Sequence, residues 1–175
     1  CIMQEPFWRN DNTDDELIEL IEASKLIGIE IIVFPLVDNS SLTNLEENYL
    51  VSYLLDISQL LQESKVKIAF ESDFDKNKLA RFIDRFPIEN FGINYDIGNS
   101  AALGYLPKEE IAAYGSRILN VHVKDRVKGG ATIKLGEGDA DFEAVFQSLQ
   151  KVNYQGNFII QAARSKDNKH DLALL

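Results

Sequence analysis

Cysteine is almost absent from this chain of 175 residues: the single one is Cys1. That excludes an intrachain disulfide and a cysteine-based zinc cluster, and it suits a reducing, cytoplasmic setting. Basic charge is in deficit, with 18 Lys and Arg against 28 Asp and Glu, a formal net charge of -10. Such a surface repels phosphate backbones and anionic lipid, so neither nucleic acid nor a membrane is an expected partner. No apolar run approaches the roughly 18–20 residues that span a bilayer. No basic N-terminal stretch leads into an apolar one, so no secretory signal is expected. Linkers rich in Pro, Gly or Ser are also missing, and a single domain over residues 1–175 is expected. The sequence starts at Cys1 rather than Met and stops in a helical pattern at Leu175, so further residues are expected at both ends.

What the chain does contain is ordinary globular material, 45% hydrophobic and 26% charged, arranged in alternation. Short apolar runs at 1–4, 29–34, 66–70, 91–95, 118–123 and 158–160 read as strands, the second closed by Pro35. Helical periods separate them. Thr13 and Glu16 form a capping box before Leu17, Leu20, Ile21 and Ser24, with Gly28 as the stop. Thr43 and Glu46 repeat that box before one apolar face carrying Leu50, Tyr53, Leu54, Ile57, Leu60 and Leu61. Leu79, Phe82, Ile83 and Phe86 mark the next helix, Pro107 opens another, and Phe142, Val145, Phe146 and Leu149 a further one; 171–175 reads as helical. Near-continuous apolar strands alternating with helices imply a parallel sheet covered by helices, either a doubly wound sheet or a (β/α)8 barrel. A barrel usually takes about 250 residues, so a chain with about six strands would be an incomplete one.

Polar residues break the apolar strands at one end. Strand 66–70 runs into Glu71, strand 91–95 into Asp96, strand 118–123 carries His122, and strand 158–160 runs into Gln161. A charge at the end of a buried strand is costly without a partner or a metal. One Glu or Asp there is more often a helix cap or an ion-pair partner, and a single His a hydrogen-bonded structural residue. Four such residues at successive strand ends, on the face where parallel α/β folds place their sites, indicate a pocket. Glu, Asp and His together suit a divalent cation, and the imidazole shifts the choice from Mg2+ toward Mn2+, Co2+ or Zn2+. The strand period of two puts Asn94 and Asp96 on one face, and returns Lys124 to the side of His122. Lys124 could hold a substrate oxygen, or simply pair with Asp125 or solvent. Asn99 is expected in the loop beyond Asp96. His170, among Lys166, Asp167, Asn168 and Lys169, reads as surface loop. Gly136, Glu137 and Gly138 lack the spacing of a phosphate loop and read as a tight turn leading to a helix cap at Asp139 or Asp141.

The strings IAFESD, NYDIGNSAALG, ILNVHVKDR and LGEGDADF together resemble the xylose isomerase-like TIM barrel superfamily, and its sugar-phosphate isomerase/epimerase branch in particular. The resemblance implies a (β/α)8 barrel, here without its first strand and last βα unit. Such a barrel closes with residues beyond this sequence, which we favour, or with another chain, so a homo-oligomer is a second expectation. The family's metal ligands fall on Glu71, Asp96, His122 and, for a second Glu, on Gln161. A family His three residues after the Asp falls on Asn99, and a basic residue after the His on Arg126 or Lys128. The resemblance implies a sugar or sugar phosphate as substrate and Mn2+ as the first choice of metal. Glu71 would be the base, acting through a metal-stabilised enediolate, and Gln161 a weakened partner in catalysis. Lys124, Asn99 and Arg126 would contact substrate. Gln161 can offer its amide oxygen but cannot take a proton near neutral pH, which weakens two-base epimerisation more than one-base isomerisation. The departures at Gln161 and Asn99 leave a non-catalytic sugar-binding or scaffold relative as the alternative. A dehydratase or lyase shares the first proton abstraction. The DNA-repair branch of the superfamily needs several histidines, and this chain has two.

Overall fold

The computed structural model describes Pro6 and residues 14–161. The 1–4 strand, the Thr13 cap, the 171–175 helix and His170 lie outside the described residues. Two compact units emerge, one formed up to Ser72 with Arg81–Ile93, the other from Asp73–Ala80 with Asn94 onward.

The first unit contains α1 (Asp14–Ile27), β1 (Ile31–Leu36), α2 (Asn44–Asp56), α3 (Ser58–Ser64) and β2 (Lys67–Ser72). It also holds the last residues of α4 (Lys76–Ile83) and the first half of β3 (Phe91–Asp96). Helix α1 buries Leu17, Ile21 and Ser24, the face set by its apolar spacing. The second capping box is formed as expected: Glu46 N donates to Thr43 Oγ1 at 3.3 Å and Thr43 N to Glu46 Oε2 at 2.8 Å. The single helix expected after it is two. The chain breaks at Ile57 (φ -91°, ψ 5°), and Ser58 Oγ donates to the Leu55 carbonyl at 2.6 Å. Strand β1 continues through Pro35 instead of ending before it, with Pro35 in register with Glu71. Among the described residues it is the end strand of the sheet, where a missing N–H is tolerated. Phe70, fully buried, is ringed by Phe34, Phe82, Phe86 and Phe91 at centroid distances of 5.8, 5.1, 5.2 and 6.1 Å.

The second unit adds α5 (Ile97–Leu103), α6 (Pro107–Tyr114), β4 (Ile118–Val123), the short β5 (Asp125–Arg126) and β6 (Thr132–Ile133), α7 (Phe142–Lys151) and β7 (Asn157–Ile160). The main sheet has the order β1-β2-β3-β4-β7, and β1–β2, β2–β3 and β4–β7 pair in parallel. The β5–β6 hairpin is antiparallel and was not expected from the sequence. Asp125 organises the loop that follows it. Its Oδ2 accepts from Gly136 N and Gly138 N, both at 2.9 Å, and its Oδ1 from Ala140 N at 3.1 Å. A Cβ at residue 138 would stand 2.2 Å from Asp125 Oδ1, so only glycine fits. Of the two expected caps, Asp141 opens α7, accepting from Ala144 N at 2.9 Å.

Glu110, on α6, is buried beneath three hydroxyls. Tyr95 Oη donates to Oε2 and Tyr114 Oη to Oε1, each at 3.0 Å, and Ser100 Oγ also donates to Oε2. Burial raises this carboxyl above the usual glutamate range, although the three hydroxyls act the other way.

Candidate functional site

Polar side chains gather on one face at the carboxyl ends of β3 and β4, because alternate strand residues share a face. Strand β3 supplies Asn94 and Asp96; β4 supplies Asn120 and His122; all four are buried. Asn120 Nδ2 donates to Asn94 Oδ1 at 2.6 Å, and Asn94 Nδ2 lies 3.0 Å from His122 Nδ1. Gln161, just past β7, brings its Nε2 to the same His122 nitrogen at 3.0 Å. Both amides therefore converge on one ring nitrogen of His122, whose role as donor or acceptor is set by the tautomer.

Asp96 has two separate tasks. Its Oδ1 accepts from Asn99 N at 2.8 Å and so caps α5. Asn99 therefore sits in the first turn of a helix, not in the loop that the sequence indicated. Asp96 Oδ2 is 3.7 Å from His122 Nδ1 and 2.7 Å from Lys124 Nζ. Lys124 is thus held by Asp96 and not by Asp125. Oδ2 is buried, and the ammonium approaches it off the line of a directed hydrogen bond. Burial pushes the Asp96 carboxyl up, but His122 and the Lys124 ammonium outweigh it, and the carboxyl lies below its ordinary value.

Arg126 is turned to other partners. Its Nη1 donates to Asn99 Oδ1 at 2.8 Å, and its Nε and Nη2 to the Gly130 carbonyl at 3.0 and 2.7 Å. Asn99 and Arg126 therefore form a pair, while Asp96, His122, Lys124 and Gln161 form a cluster. Glu71 ends β2 with only Ser72 beyond it. Within the second unit, Asp96 and His122 offer a buried carboxylate and imidazole to a metal ion. A carboxylate and an imidazole suit Mn2+, Co2+ or Zn2+. The buried Oδ2 without a directed hydrogen bond is a donor of the kind a cation completes. Sequence reasoning missed Asn120, although its place two residues before His122 put it on the same face.

A parallel α/β sheet with flanking helices, and a carboxylate and an imidazole at its strand ends, is the architecture of a TIM-barrel-type protein with a candidate metal site. The chain belongs to the xylose isomerase-like TIM barrel family, whose model matches residues 5–175. It is 36% identical to L-ribulose-5-phosphate 3-epimerase UlaE of Escherichia coli over 72 residues, covering 41% of this chain and 25% of that protein. It is 26% identical to inosose dehydratase of Clostridium botulinum over 155 residues, covering 73% of this chain and 51% of that protein. The fold is also that of the IOLI protein solved with a zinc atom, with TM-score 0.70 and 19% identity over 86% of this chain and 62% of that one. The chain thus spans about half or less of the length of the curated relatives it matches. No helix among the described residues is long and apolar enough to cross a membrane.

Proposed function

We propose that this chain acts in a metal-dependent sugar or sugar-phosphate isomerase or epimerase, with Glu71, Asp96 and His122 as the metal ligands. The observation that carries this reading is the buried pair of Asp96 and His122 at the strand ends, Oδ2 3.7 Å from Nδ1. A divalent cation, Mn2+ first and Mg2+, Co2+ or Zn2+ after it, would polarise the carbonyl and neighbouring hydroxyl oxygens of the substrate. Glu71 removes the proton next to that carbonyl and returns it, directly or through a water, to the adjoining carbon. Gln161 takes the place of a second carboxylate. Its amide oxygen serves as a neutral ligand or substrate contact and moves no proton, which favours one-base isomerisation over two-base epimerisation. Arg126, fixed by Asn99 and Gly130, presents a half-buried guanidinium for substrate oxygens or phosphate.

The test is turnover of a panel of ketoses and ketose phosphates with added Mn2+. Activity that falls about 100-fold or more in Glu71→Gln, without loss of fold, supports the reading. No turnover across the panel overturns it. The second reading, a non-catalytic relative, is favoured by the internal hydrogen bonds that engage Gln161 and Asn99. It expects Gln161→Glu to bind metal more tightly without gaining activity.

A further inference from the structure

Two cations have a claim on a single carboxylate oxygen. Asp96 commits Oδ1 to the first turn of α5 through Asn99 N, so Oδ2 alone remains for a ligand. The Lys124 ammonium already stands 2.7 Å from it. That ammonium is not a loose surface charge, for the Lys124 side chain is only 14% exposed. Its stem is confined by α5: a Cβ on Gly98 would lie 3.0 Å from Lys124 Cγ and 3.1 Å from its carbonyl oxygen. The lysine runs close along the helix because residue 98 has no side chain, and this close approach places the ammonium over Oδ2.

Lys124 meets Oδ2 as a point charge in an ion pair of 2.7 Å. An ammonium and a divalent ion on one oxygen repel strongly in a dry site, so both cannot hold it comfortably. Resting on the metal reading above, we propose that Lys124 is the resident counter-cation of the metal position. It neutralises Asp96 while the metal is absent, yields Oδ2 when a divalent ion enters, and is then released toward substrate oxygens. Lys124 is a positioning residue in the first state and a substrate contact in the second.

The experiment is a Mn2+ titration of the protein at its full natural length, with free Mn2+ followed by its electron paramagnetic resonance signal. Lys124→Met is expected to bind Mn2+ about tenfold or more tightly than the parent, because removing the ammonium leaves Asp96 a buried charge without its counter-ion. Lys124→Arg, which keeps the charge, is expected to stay within about threefold of the parent. Circular dichroism checks folding, and Lys124→Gln carries the same expectation should the Met variant not fold. If the parent binds Mn2+ and the neutral variants bind it equally or more weakly, the counter-cation role is overturned and the metal reading stands. Tighter binding in Lys124→Arg as well removes charge as the cause and also overturns it. If neither the parent nor any variant binds Mn2+, the metal reading itself falls, and this inference with it.

Discussion

Glu110 offers the sharpest test of the energetics, because its environment is fully specified and it lies apart from the candidate metal ligands. Three hydroxyl groups converge on its carboxylate from β3, α5 and α6. Tyr95, Ser100 and Tyr114 are themselves 3%, 6% and 3% exposed, so truncating Glu110 leaves their hydroxyls with little access to water. At about 1–3 kcal/mol for each buried group left unsatisfied, Glu110→Ala should cost about 3–5 kcal/mol. The total stays toward the low side because Tyr95 Oη also reaches Ser100 Oγ at 3.3 Å. Glu110→Gln keeps an acceptor for two of the hydroxyls, and the third can turn to accept from the new amide, so its cost should be about 1 kcal/mol or less. The sign of the pH dependence follows from burial. Because the folded carboxyl is shifted upward, the stabilising contribution of the protonated form is complete below the unfolded glutamate value and is lost as pH rises through the folded one. Wild type should therefore lose ground to Glu110→Gln as pH increases from 4 to 7. Urea unfolding of the three proteins at several pH values measures both effects. A Glu110→Ala variant as stable as wild type, or a wild-type-to-Gln difference that does not move with pH, would refute the reasoning.

Two further expectations concern packing. Phe70→Ala removes the centre of the aromatic cluster between β1, β2, α4 and β3 and should cost about 3–5 kcal/mol in urea unfolding; a loss under 1 kcal/mol would mean that the cluster collapses into the space. Gly138→Ala drives a methyl group into Asp125 Oδ1 and should detach the loop from that carboxylate. Hydrogen exchange at the Gly136, Gly138 and Ala140 amides should then accelerate by about tenfold or more, while amides of α7 stay protected; unchanged exchange would show that the loop is held by something else.

Much of the architecture was readable from residues close in sequence. Strand-to-helix alternation, the Thr43–Glu46 box, Pro107 at the start of α6 and the Asp141 cap are interactions spanning a few residues, and local propensity suffices to place them. Helix α5 escaped notice for an equally physical reason. Its seven residues, IGNSAAL, include Gly, Asn and Ser, poor helix formers, and its start depends on the cap that Asp96 provides. Pro35 stays within a strand, in register with Glu71 of β2, a pairing no local signal encodes.

The sequence by itself determined which polar residues end the strands and, through the period of two, which of them share a face. That was enough to nominate Glu71, Asp96, His122 and Gln161. The tertiary structure alone decided who meets whom. Asn120 meets Asn94 across 26 residues, and Gln161 meets His122 across 39. Lys124 chose Asp96 over its neighbour Asp125 because adjacent residues point to opposite faces, and because the amides of the glycine loop had already taken the Asp125 carboxylate. Glu110 carries no mark in the sequence, and only the fold brings three hydroxyls to its carboxylate. Such pairings depend on strand order and on the space between packed elements, quantities that residue spacing along the chain does not carry.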